Sequence, residues 1–283
     1  MKLKLSIFLF FSFVFSLKSK AQEGLEKYQN MAADFIKLEN YNSAIEIYER
    51  LLFFGNDELT KEIYLPLARA YTAIGNYDQA AINFDNAYSS EKVDTLKYEI
   101  IFESALNYII AGDTSLAYTE LLNIPETHIN ARISNKLHLL MGTLDYKSGR
   151  YSSAEKHFLA LTDLDKNSQQ DIHIFIKKAK KINRRYNPDM VEWMSIIPGL
   201  GQVWCGYYKE SANAFLLTGA FVVLFIDVSL KYRAIDGLLA VWPWLNRYYK
   251  GGIVKSYKLA ERKIEVEKNK LLNNFLKALP SIN

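Results

Sequence analysis

Cysteine is almost missing from this 283-residue chain, and Cys205 stands alone. A single thiol can form neither an internal disulfide nor a multi-cysteine zinc site. The four histidines (His128, His138, His157 and His173) are scattered without metal-ligand spacing. Proline is scarce at 6 residues, which suits long helices because proline breaks their hydrogen bonding. Catalytic motifs are missing too. The sequence has no glycine-rich phosphate loop with its lysine, no His-Glu-x-x-His and no nucleophile elbow, so it is read as a non-enzyme with no cofactor. The net charge of +4 makes no case for a nucleic-acid partner.

Apolar residues are abundant, at 49% of the chain, and the length suits about two domains. Residues 1–21 stand apart. Met1-Lys2-Leu3-Lys4 is a short basic start, and Leu5 to Leu17 is an apolar run broken only by serines. Ser19-Lys20-Ala21 supplies the small residues of a signal-peptidase site, with Gln22 as the mature start. This is a secretory signal pattern; an uncleaved anchor is the alternative. No cysteine lies near the junction, which argues against a lipoprotein anchor.

Residues 22–166 carry an internal repeat. Four segments align: Ala32…Phe35…Asn40-Tyr41…Ala44…Tyr48; Ala68…Tyr71…Gly75-Asn76-Tyr77…Ala80…Phe84; Ala105…Tyr108…Gly112-Asp113…Ala117…Leu121; and Gly142…Asp145…Gly149-Arg150-Tyr151…Ala154…Phe158. A small residue is followed twelve positions later by alanine, and a large apolar residue comes four after that. The alanines at 44, 80, 117 and 154 are 36, 37 and 37 apart. The small residues suit close crossing of two helices in a hairpin. Gly75, Gly112 and Gly149 fall where the first helix must end in a left-handed residue, with Asn40 in that role in the first copy. Asn, Asp or Ser after the turn can cap the second helix. Tyr48, Phe84 and Phe158 are expected to fill gaps between neighbouring hairpins. The fourth copy departs from the pattern, with Asp145 where an aromatic is expected and Tyr146 one place late, and a distorted hairpin is expected there.

This pattern resembles the tetratricopeptide (TPR) repeat, whose usual period is 34. The resemblance implies a superhelix whose groove takes a protein or peptide partner. Exposed first-helix residues such as Lys37, Arg69 and Asn107 would line it.

Residues 167–187 read as a basic amphipathic helix. Ile172, Phe175, Ile176, Ala179 and Ile182 share one face, and Lys177, Lys178, Lys180, Lys181, Arg184 and Arg185 supply the other. It can cap the array, meet lipid headgroups, or both. Residues 188–250 then read as a helical membrane region. Ala212 to Leu230 is long enough to cross a bilayer, with Asp227 near its end, and Ala234 to Asn246 is a shorter apolar stretch. Before them, Pro198 and the neighbouring glycines call for a broken segment whose backbone is satisfied by adjacent helices. Residues 251–283 form a charged amphipathic tail.

Ser195-x-Ile-Pro198-Gly199-x-Gly201-Gln202-x-Trp204-x-Gly206, followed by Tyr207, resembles a bacterial membrane family related to TM2-type helical pairs, and Tyr248-Tyr249-Lys250-Gly251-Gly252 resembles its second signature. That family has no assigned biochemical role. The resemblance implies a bilayer partner and a bacterial inner-membrane location. The signal pattern turns the repeats toward the periplasm. Two spans would return the tail to the repeat side, and one or three would not.

The expected fold class is all-α, a TPR-like superhelix of hairpins followed by a small helical membrane domain. The expected function is a membrane-anchored scaffold in envelope assembly or secretion. The alternative is a small transport or lipid-contacting module regulated by the repeats.

Overall fold

The computed structural model describes residues 24–279 except 56, 128 and 163, so the signal pattern at 1–21 lies outside the described residues. It is all-α, with no strand among the described residues. The chain divides into two compact units, Met1–Thr162 and Asp163–Asn283.

In the first unit, α1 (24–37) pairs with α2 (Tyr41–Phe54), α3 (Asp57–Ala73) with α4 (Tyr77–Ser90), α5 (Asp94–Ala111) with α6 (Thr114–Leu122), and α7 (Ala131–Lys147) with α8 (Tyr151–Leu159). Each pair turns in the same way. One residue takes a left-handed φ: Glu39 at 58°, Gly75 at 78°, Gly112 at 88° and Gly149 at 78°. The following amide donates back five residues, Asn40 to Phe35, Asn76 to Tyr71 and Asp113 to Tyr108 at 2.9 Å each, and Arg150 to Asp145 at 2.8 Å. This is the Schellman arrangement, which satisfies carbonyls that a helix end leaves bare.

Glu39, not Asn40, takes the left-handed position in the first copy. Asn40 instead caps α2 by accepting from the Ser43 amide, and Asn76 and Asp113 cap α4 and α6 in the same way. An Asn side chain one residue after the turn reaches the next helix's free amides, and this role excludes it from the turn itself.

Small residues sit at the crossings. Ala32, Ala44, Ala68, Ala80, Ala105, Ala117 and Ala154 are all fully buried. Gly142 lies under the Phe158 ring, and a Cβ there would stand 2.9–3.1 Å from three ring carbons. Phe158 therefore packs closely against the leading helix of its own hairpin. One apolar cluster runs from Ala32 through Tyr48, Tyr71 and Phe84 to Ile100 of α5, so successive hairpins share a core.

The fourth hairpin is regular. Its glycine has the same φ as Gly75, and Asp145 and Tyr146 are both fully buried. The side chain of Arg150 bonds Asp145 and makes no cap bond to α8. A buried carboxylate needs such a partner.

The second unit contains α9 (Lys166–Arg185), α10 (Pro188–Met194), α11 (Leu200–Trp204), α12 (Tyr208–Lys231), α13 (Ala234–Ala240) and α14 (Trp242–Ala278). α12 and α14 run antiparallel. Phe225 meets Trp242 with ring centroids 6.3 Å apart, Phe221 stacks on Tyr248 at 5.0 Å, and a Cβ on Gly252 would touch Ala214. Further along α14, Phe275 stacks on Phe175 of α9 at 4.0 Å. α14 is continuous for 37 residues, so no element breaks at 250–251.

Candidate functional site

Two surfaces emerge, one in each unit. In the first unit, the leading helices of the hairpins are tied to each other by side chains about one repeat apart. Gln29 of α1 donates to Glu62 of α3 at 3.0 Å. Arg69 of α3 donates through Nε and Nη2 to the two oxygens of Glu103 of α5, at 2.6 Å each. Thr72 donates to Asn107 at 3.0 Å, and Asn107 donates on to the Tyr77 carbonyl at 3.1 Å. Glu99 of α5 holds both Lys136 and, at 3.6 Å, Arg132 of α7.

Two of the three residues expected to line a groove therefore have another role. Asn107 is fully buried and locks two hairpins, because its amide can satisfy a hydroxyl and a carbonyl together. Arg69 is occupied by Glu103, which raises its pKa above the ordinary guanidinium value through the side-chain hydrogen bond. Lys37 remains exposed and pairs with Asp34 on its own helix, at 2.8 Å. Pairs of opposite charge about one repeat apart were the sequence signal for this ladder.

Tyr48, Tyr71, Phe84 and Phe158 are buried, and Tyr108 is half-buried. Burial, followed by the bond to Glu49, pushes the Tyr71 phenol up to about 12. A separate polar cluster occupies the fourth hairpin. The His138 and His157 Nδ1 atoms are 3.2 Å apart, and His157 Nε2 lies 3.7 Å from buried Asp145. Burial and then the neighbouring His157 hold His138 below the ordinary imidazole pKa. Scattered sequence positions gave no hint of this meeting.

In the second unit the Pro-Gly motif becomes a tight corner. After Pro198, Gly199 takes a φ of 88°, and a Cβ there would stand 2.8 Å from the Ser211 carbonyl at the start of α12. A Cβ on Gly201 would collide with the Ser195 hydroxyl and lie 2.6 Å from the Val191 carbonyl. Gly206, with a φ of 84°, ends α11 in another Schellman turn, where the Tyr207 amide donates to the Gln202 carbonyl at 2.9 Å.

The two signatures meet in space. Gln202 is buried, and its Nε2 donates to the Gly252 carbonyl at 2.9 Å. Tyr249 donates to the Ile196 carbonyl at 2.9 Å. The Ile196 carbonyl beside the broken segment and the Gly252 carbonyl within α14 thus each accept from a side chain of the facing motif. Asp227 pairs with Lys231 one turn on, at 2.9 Å.

α12 itself is barely covered. It is the one helix among the described residues that is long and apolar enough to cross a membrane, and only 6% of its most apolar stretch is buried. Trp193, Ile196, Ile197, Val203, Trp204 and Tyr208 extend the exposed apolar surface onto α10, α11 and the α12 start. The sequence matches no protein-family model and no curated protein.

Proposed function

We propose that this protein is a membrane-anchored TPR-type scaffold. Its hairpin array binds a protein or peptide partner at the bacterial cell envelope, in assembly or secretion. The observation that carries the reading is α12, a 24-residue apolar helix of which only 6% of the most apolar stretch is buried. In water that surface would carry a transfer cost of roughly 25 cal/mol for each Å². Lipid removes the cost, and at 1.5 Å per residue the helix reaches about 36 Å, enough for a hydrocarbon core of about 30 Å. A core helix of a soluble protein would be covered.

The four matching hairpins, tied along their leading helices, support the TPR reading and the superhelix it implies. In that reading the leading helices face the groove, and the partner meets their exposed residues. In this reading α13 and the start of α14 return antiparallel beside α12, the crossings are even in number, and α9 and the tail share one side. The signal pattern makes that side the periplasm. The bulky exposed Trp193 and Trp204 suit the headgroup level. A transport or lipid-contacting role for the membrane part remains the second reading, favoured by the glycine-packed corner at 199–202.

Photo-crosslinking in native membranes tests the scaffold reading. A crosslinker at exposed Glu62 on a leading helix should capture a discrete partner, and one at exposed Asn86 on α4 should not. Equal or absent capture from both positions would sink the scaffold reading.

A further inference from the structure

An open cavity of about 380 Å³ lies between α9 and α14 in the second unit. Lys178, Lys181 and Arg185 enter it from α9, at the spacing that puts residues on one helical face. Lys270 and Asn274 enter it from α14. The one carboxylate in the lining, Glu267, is engaged by Lys263 at 2.9 Å. Among the described residues, none of the four cations has an acidic partner within ion-pair distance.

Both ends of the cavity are pinned. The Phe175–Phe275 stack fixes one end of the α9–α14 pair. At the other, the Trp204 indole donates to the Arg185 carbonyl at 2.9 Å, and the Arg185 guanidinium lies 5.3 Å from the Tyr186 ring. Four like charges gathered around one opening repel one another, and a multivalent anion removes that repulsion. Lysine and arginine donors beside an amide are the usual recognition set for phosphate oxygens.

We infer that this cavity is a binding site for a phosphate group, carried either by an anionic phospholipid headgroup or by a free phosphate compound. Trp204 belongs to the exposed apolar surface of α10 and α11, so the Arg185 end of the cavity opens beside the surface assigned to the membrane. The lipid source rests on the membrane reading above, and the free-phosphate source does not.

The test uses the purified full-length protein. One arm titrates it in detergent with inorganic pyrophosphate by calorimetry. The other places it in phosphatidylcholine nanodiscs with and without phosphatidylglycerol and measures retained lipid by native mass spectrometry. Binding in either arm is expected, and the arm that responds identifies the source. Arg185→Gln and Lys270→Gln should each weaken that binding by about tenfold, the loss of one charge-assisted contact. Lys270→Arg should retain it. The paired change Lys177→Gln and Lys180→Gln, outside the cavity, should alter it by less than about twofold, as expected of screened surface charge. No binding in either arm, or equal losses from the outer pair, would overturn the inference. Alkaline carbonate extraction scores the membrane reading separately: release of the protein removes that reading, and the pyrophosphate arm still decides the cavity.

Discussion

Glu39 holds a left-handed conformation that costs a residue with a Cβ about 1–2 kcal/mol, and the three later hairpins put glycine there. Glu39→Gly should therefore stabilise the first hairpin by about 0.5–1 kcal/mol, after the extra freedom glycine gains in the unfolded chain. Urea titration of the wild type and the variant measures it. His138 makes a second residue-level prediction. Its folded pKa lies below its ordinary value of 6.5, so the unfolded chain takes up the proton first. The neutral ring's contribution is complete above about 6.5 and is lost as pH falls toward the lower folded value. The Nδ1–Nδ1 contact also requires one ring to stay neutral. His138→Asn should flatten the fall in melting temperature between pH 7 and 5 relative to the wild type, and parallel curves would contradict the assignment.

At the scale of elements, the hairpins were legible because their rules are local. A glycine at a helix end, a capping Asn or Asp and an alanine at a crossing each act within a few residues. What connects one hairpin to the next was not legible in the same way. Asn107 looked like groove surface, yet it is buried and bonded to α3 and to the Tyr77 carbonyl. Asn107→Ala should cost about 2 kcal/mol, since it leaves buried partners unmatched. Gly142→Leu should cost about 1–3 kcal/mol by forcing the Phe158 ring aside. Both are read from thermal unfolding, and near-neutral values would show the interfaces to be looser than described. The two membrane-type signatures were each visible in the sequence. Their pairing through Gln202 and Gly252 was not, because nothing within either segment specifies a contact 50 residues away. The basic cavity was half visible, since α9 displayed its cations but Lys270 lies 85 residues beyond Arg185.

Across the whole molecule, α12 crosses a bilayer once in this reading, and α13 with the start of α14 returns beside it. The repeats supply a partner-binding surface in this reading, and the second unit supplies attachment and a phosphate-binding cavity. Side-specific cysteine labelling in intact cells tests whether α12 crosses the bilayer. In a Cys205→Ser background, Lys178→Cys on α9 and Glu265→Cys on α14 should react with an impermeant maleimide from the periplasmic face. Arg233→Cys, at the turn after α12, should react only after the cells are opened. Labelling of all three from the same face would show that α12 does not cross, and the membrane-anchored reading would fall with it.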